Sequence, residues 1–241
     1  MTRRTDWAVV SDVDGTLVPK RNGALVKIVD DGVLPESANV ELVALRAHYL
    51  AKIAAGLLTH LDEMIWLQKT LEMYVQHRVT RQAWQSALDG VALRDGVVET
   101  FRLLADAGVP VAAISHGCAD FVEYVLGRHG LRLDAVYACR LVHDGDVVIG
   151  YDTTSIVVPA YKGDRSRHFA DTQGVPHEGL IAVGDTHGDR FLGHEKDHRI
   201  GIAETEEDEQ RLHATGAMGE VHRSETFHPI LDSIKRRLGL P

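Results

Sequence analysis

Apolar residues fall along this chain in two different rhythms. Trp7-Ala8-Val9-Val10 is a short unbroken apolar run closed by polar residues, the pattern of a strand buried on both faces. From about Asp95 onward, helix-like and strand-like segments alternate. Val97, Val98, Phe101 and Leu104 keep helical spacing until Gly108 stops them, and Val109 to Ile114 then reads as a buried strand. Phe121, Val122, Val125 and Leu126 mark a second helix ending near Gly127 to Gly130, and Ala135 to Ala138 a further strand. Val147 to Tyr151 and Ser155 to Val158 read as a hairpin or a pair of short strands. Leu180 to Val183 is another apolar strand, and Arg199 to Ala203 is expected to be the last.

The stretch from Pro19 to Leu93 is different. A loop rich in Gly, Asp and Pro leads into long helix-like segments, roughly Glu36 to Ala55 and Thr59 to Arg78, then a shorter one to Asp89. The two rhythms together predict an α/β protein: a Rossmann-like parallel sheet formed by residues 1–18 and 94–241, interrupted by an inserted all-helical unit at 19–93. The insertion follows the first strand directly, so it can fold over the strand ends where open α/β sheets place ligands.

The candidate chemistry sits at the ends of the predicted strands. Asp12-Val13-Asp14-Gly15-Thr16 closes the first, and residues two apart on a strand share a face, so both carboxylates are expected to converge. Two such groups in one small site should separate in pKa, leaving one charged to attack or bind a metal and the other protonated as a general acid. Ser115 and His116 follow the strand Val109 to Ile114, where a hydroxyl and a helix N-terminus suit a phosphate oxygen, although a serine there also serves as a plain N-cap. Lys162 opens a predicted helix and could neutralise a phosphoryl group, or be an ordinary surface lysine. Asp185 and Asp189, after Leu180 to Val183, are hard oxygen donors suited to Mg²⁺, in a segment that also reads as a structural turn.

In this order, Asp-Val-Asp-Gly-Thr, a strand ending in Ser, a Lys and then Gly-Asp-x-x-x-Asp, the motifs resemble those of the haloacid dehalogenase superfamily of phosphotransferases, across about residues 7–18 and 94–203. The resemblance implies a Mg²⁺-dependent phosphomonoesterase acting through an aspartyl-phosphate. It casts Asp12 as nucleophile, Asp14 as general acid and base, and Ser115 and Lys162 as phosphate ligands, with His116 beside them. The metal would be held by Asp12, the backbone carbonyl of Asp14 and Asp185, with Asp189 a ligand or a support. The helical insertion is similar to the C1-type caps of the phosphoserine phosphatase and pyrimidine 5′-nucleotidase branches. Its Trp66 and Tyr74 are candidates to stack on a substrate ring, or simply core aromatics. Two departures stand out. Pro19-Lys20-Arg21 lies where a phosphoserine phosphatase would carry a Glu, and Gly188 where an Asn often precedes the last Asp.

Composition narrows the partners. Acidic residues outnumber basic ones by nine, which disfavours nucleic acid and anionic lipid, and a small phosphorylated metabolite is the partner the resemblance implies. The acidic run Glu204 to Glu209 reads as solvated surface. Neither an apolar span of bilayer length nor an apolar stretch after Arg3-Arg4 is present, so a cytoplasmic protein is expected. Cys118 and Cys139 make no disulfide framework. His194-Glu195-Lys196-Asp197-His198 matches a zinc-protease pattern, but Gly193 and the charged middle argue against the helix it needs. A phosphomutase and a non-catalytic phosphometabolite binder are the rival readings, and oligomeric state is not legible.

Overall fold

A computed structural model describes residues 4–241. Along the chain run β1 (Ala8–Ser11), α1 (Ala24–Asp30), α2 (Glu36–Ala54), α3 (His60–Gln76), α4 (Arg81–Leu88), α5 (Val97–Asp106), β2 (Val111–Cys118) and α6 (Ala119–Arg128). There follow β3 (Ala135–Cys139), β4 (Leu141–Asp144), β5 (Val147–Tyr151), α7 (Lys162–Gln173), β6 (Leu180–Gly184), β7 (Arg199–Ala203), α8 (Glu206–Thr215), β8 (Glu220–Arg223) and α9 (His228–Leu238).

Six strands form one parallel sheet in the order β3-β2-β1-β6-β7-β8. β1 is central, and all four of its residues are buried. Alternation sends Val9, with Val111 and Ile181, toward Phe101 of α5 and Ile230 and Ile234 of α9. The other parity, Ala8 and Val10 with Ala112 and Ile114, packs on Phe169 and Ala170 of α7. Crossovers leave β1 toward β2 on one side and return to β6 on the other, so a crevice opens past its C-terminal end.

The chain between β1 and α5 builds a helical layer. Thr59 starts α3 with a capping box, its hydroxyl accepting from the Asp62 N–H while the Asp62 carboxylate accepts from the Thr59 N–H. The hairpin β4–β5 completes this layer from outside the insertion, packing on α3 and bridging Thr80 through Val147. The outgoing and returning passages of chain meet where the Arg94 N–H donates to the Leu17 carbonyl at 2.8 Å.

Four expectations change. The hairpin pairs β5 with Leu141–Asp144, turning at Gly145 (φ +57°), while Ile156, Val157 and Val158 are buried loop. Burial of a non-strand segment imitates a strand in an apolar pattern. Arg199–Ala203 is followed by one more strand, β8, whose polar edge sequence carries no strand signal. α1 is a further helix that the turn-rich composition concealed. β2 continues to Cys118, so Ser115 lies within the strand and α6 begins only at Ala119, removing the expected helix N-terminus at Ser115.

Candidate active site

Strand parity explains where the first acid goes. Asp12 continues the Ala8–Val10 side of β1, which faces α7, and Lys162 is the first residue of α7. The buried Lys162 Nζ donates to Asp12 Oδ1 at 2.7 Å and to Asp189 Oδ1 at 2.6 Å. Asp12 is held in place by its own N–H, which donates to the Val183 carbonyl of β6. Its second carboxylate oxygen accepts no hydrogen bond among the described residues.

Asp185 and Asp189 arrive from the end of β6. The Asp189 Oδ2 accepts from the N–H groups of Asp185 and Thr186 and from the Thr186 hydroxyl, so with Lys162 on Oδ1 both of its oxygens are committed. Asp185 accepts the Thr16 hydroxyl at 3.1 Å on Oδ1 and has the Lys20 ammonium 3.4 Å from Oδ2. Two glycines permit this packing. A Cβ on Gly15, which holds φ +87°, would lie 2.3 Å from Asp185 Oδ2, and one on Gly184 would lie 2.2 Å from the Asp189 Cβ.

One ligand atom from each of Asp12, Asp185 and Asp189 lies within 4.8 Å of the others, and all three residues are buried. Burial and the neighbouring acids push Asp12 well up, with Lys162 pulling against them. Asp185 is pushed up to about 7, first by burial and then by Asp189, against the pull of Lys20 and Lys162. Hard oxygen donors with a surplus of negative charge suit a hard divalent cation. Asp189 has the least free donor capacity of the three.

Asp14 does not join that cluster. Its Oδ1 accepts from the Ala24 N–H at 3.1 Å, so its carboxylate turns toward the helical layer instead of toward Asp12. The pKa separation expected from repulsion between Asp12 and Asp14 is not found: both are raised, each chiefly by its own burial, and Asp12 the more strongly. Surrounding protein desolvates Asp14 and raises it, while the Ala24 N–H and Lys162 hold it back. The residue remains open to solvent at the cleft mouth. Ser115 stands beside it, since a Cβ on Gly117 would meet Ser115 Oγ at 3.4 Å and Asp14 Oδ2 at 3.8 Å. The Ser115 hydroxyl accepts from the Gly117 N–H.

The remaining sequence candidates are placed more variously. His116 Nε2 lies 3.1 Å from the Glu63 carbonyl, an acceptor, so that nitrogen carries the proton. Burial holds its pKa down to about 4, and the ring is a neutral latch from β2 to α3. Trp66 meets His116 edge-on, and one of its faces is covered by Tyr49 at 5.3 Å and 11°. Tyr74 is 2 % exposed against Phe121, a core aromatic with no face open to a ligand. Residues 194–198 form no α-helix, only a single 3-10 turn at Lys196–His198, and among the described residues no other metal-competent cluster is found. Cys118 and Cys139 are buried free thiols paired in register across β2 and β3.

Several residues at the site carried no motif. Arg94, 3 % exposed, donates to the carbonyls of Gly15 and Thr16 and pairs with Glu204. Lys20 reaches Asp208 at 2.9 Å as well as Asp185, and its N–H donates to Glu204. The run 204–209 is thus not merely solvated surface: Glu204 and Asp208 anchor the loop behind the cluster. Glu63 of α3 is raised chiefly by burial and lies near enough to Lys162 to feel its charge.

The profile of haloacid dehalogenase-like hydrolases matches residues 9–193. The chain is 28% identical over 169 residues to a phosphoserine phosphatase of Halobacterium salinarum, covering 67% of this chain and 77% of that protein. It is 29% identical to phosphoserine phosphatase SerB2 of Mycobacterium tuberculosis, covering 98% of this chain and 51% of the relative. A phosphoserine phosphatase of Archaeoglobus fulgidus is 26% identical over 76% of this chain and 48% of its own length, so the chain spans about half of these last two. Among solved structures, cytosolic 5′-nucleotidase IIIB bound to cytidine superposes with a TM-score of 0.75 at 19% identity, over 98% and 88% of the chains. An apo phosphoserine phosphatase gives 0.69 at 17%, over 94% and 98%. At such identities the superpositions speak for the fold alone. Among the described residues no helix is long and apolar enough to cross a membrane.

Proposed function

Because this chain belongs to the haloacid dehalogenase-like hydrolase family and is a phosphatase within it, we propose that it is a Mg²⁺-dependent phosphomonoesterase acting on a small phosphorylated metabolite through an aspartyl-phosphate. One observation carries the reading. Asp12 is buried at the switch point of the sheet with one oxygen tied to Lys162 and the other unbonded, the arrangement of a poised nucleophile.

In the first step the free Asp12 oxygen bonds to phosphorus in line as the ester P–O bond breaks, and Asp14 gives its proton to the departing oxygen. In the second, Asp14 takes a proton from water as that water attacks the phosphorus, releasing phosphate and restoring Asp12. Asp14 is exposed at the cleft mouth beside Ser115, where a departing oxygen and then a water can reach it. Lys162 and Ser115 would hold the phosphoryl oxygens. Asp12 and Asp185 would ligate the cation, whose chemistry is to offset charge on the transferring group, and Asp189 would orient Lys162. The helical layer would close over the cleft in the first step and open in the second.

Asp12→Asn and EDTA should each abolish phosphate release from an aryl phosphate, with Mg²⁺ restoring the chelated enzyme. Activity that survives either treatment refutes the mechanism. An isomerised sugar phosphate formed without free phosphate would favour a phosphomutase instead. The relatives' names favour phosphoserine as the substrate, and Glu63, within reach of the Lys162 charge but paired with His60, is the carboxylate of α3 that would meet its ammonium. Against this, Lys20 is turned to Asp185 and Asp208. A panel of phosphorylated amino acids and nucleoside monophosphates decides between them.

A further inference from the structure

α2 is apolar around most of its circumference, yet only one side of it is covered. Leu42 and Tyr49 turn into the layer. On the adjoining face Val40, Val43 and Leu50, continued by Leu57 in the turn to α3 and Leu61 in its first turn, are each 44 to 68 % exposed. Val40, Val43, Ala47 and Leu50 follow each other at the three- and four-residue steps of a coiled-coil seam, and beyond the end of α2, where Gly56 turns the chain at φ +68°, Leu57 extends the exposed apolar surface. A helix with a single covered face ordinarily carries polar residues on the other. Here Glu36 and Arg46 are the charged members of the stripe.

We propose that this face is the two-fold interface of a homodimer, with α2 of one copy packed antiparallel on α2 of a second. The face is complementary to itself. Beside its N-terminal half lies a groove of about 600 Å³ whose lining includes Val29, Leu34, Val40 and Val43. At its other end lies the corner whose Leu57 and Leu61 are exposed. An antiparallel crossing centred between Ala47 and Leu50 sets each copy's corner onto the other's groove, which is the closed, isologous contact of a two-fold. The small Ala47 at the centre lets the backbones approach.

The area is adequate. The five exposed side chains leave roughly 500 Å² open per copy, so pairing removes about 1,000 Å² before the groove is counted, close to the lower limit for a specific interface. The net charge of −9 disfavours an anionic membrane as the occupant. The stripe faces away from Trp66 and the cleft, so it lies apart from the residues assigned to catalysis.

Light scattering behind gel filtration, at about 100 µM as suits an interface of this size, should give twice the chain mass. Val43→Glu and Leu57→Glu should each give the monomer mass while aryl-phosphate turnover and circular dichroism stay within twofold of the parent. Oxidation should cross-link Leu50→Cys between copies but not Leu57→Cys, which the antiparallel order holds apart. A monomeric parent overturns the proposal, whether or not it co-floats with anionic vesicles. A dimer that survives both glutamates overturns it as well, by placing the interface elsewhere. Cross-linking through Leu57→Cys alone would overturn the antiparallel order.

Discussion

The edge of the sheet and the helical layer above it are held together by different means. At the edge, Asp189 has every oxygen engaged, Lys162 is shared between two acids, and Arg94 grips two successive carbonyls of the first loop. Each group there is fixed by more than one partner, in a buried setting where an unpaired charge is costly. Beside the catalytic cluster the layer is tied through the Ala24 N–H on Asp14, the His116 latch to Glu63 and the Trp66 ring beside it. Its broader packing on the core lies farther off, where Trp84 of α4 meets Phe121 and Tyr124 of α6. Reaction chemistry tolerates little displacement, whereas a covering that must admit substrate and release product needs few ties.

The comparison breaks most sharply at Lys162. Lys162→Met should lower kcat by about a thousandfold, since it removes the charge opposite the developing negative group. It also leaves Asp12 and Asp189 facing each other without a counter-charge, so a lower melting temperature should accompany the loss. Steady-state assays and thermal melts separate the two effects.

Arg94→Met tests whether the first loop is fixed by redundancy. Loss of both carbonyl contacts, with Glu204 left unpaired, should cost about 3 kcal/mol in a denaturant melt. kcat should fall along with stability, because Gly15 and Thr16 border Asp185.

The latch predicts a pH effect. The unfolded chain carries His116 at its ordinary 6.5, whereas the folded chain holds it at about 4. Between these values only the unfolded chain takes up the proton, so stability falls as pH falls through that window, by about 3 kcal/mol. His116→Asn should flatten the curve from pH 6.5 to 4 in thermal melts. An unchanged slope would show that the latch does not titrate this way.

The smallest effect belongs to the covering. Tyr49→Ala removes the ring stacked on Trp66, away from the reacting atoms. It should raise KM a few-fold, on the order of 1 kcal/mol, with kcat nearly unchanged. A kcat loss as large as that of Lys162→Met would erase the distinction between the two regions.

The parallel sheet and its interrupting helices were legible because both rest on periodic apolar patterns. Asp12, Lys162, Asp185 and Asp189 were legible as strand-end residues, and the structure gathers all four. What escaped was set by partners distant in sequence. Arg94 and Lys20 look like ordinary surface cations until the fold brings Glu204 and Asp208 to them. The direction of the Asp14 carboxylate depends on one backbone N–H of α1, a helix its own sequence hid. Buried loop residues 156–158 imitated a strand, and β8 lacked the apolar alternation that would reveal one.

The single 2.8 Å bond between the Arg94 N–H and the Leu17 carbonyl has a mechanical consequence. It staples the outward and homeward limbs of the insertion together at their root, one residue beyond the loop that Arg94 also clasps. That fastening resists sliding of the two limbs, while α4 packed on α6 and α3 packed on the β4–β5 hairpin tie the rest of the layer down. Cutting that bond should therefore loosen the root of the insertion and the Gly15–Thr16 loop together, and with them the backbone that carries Asp14.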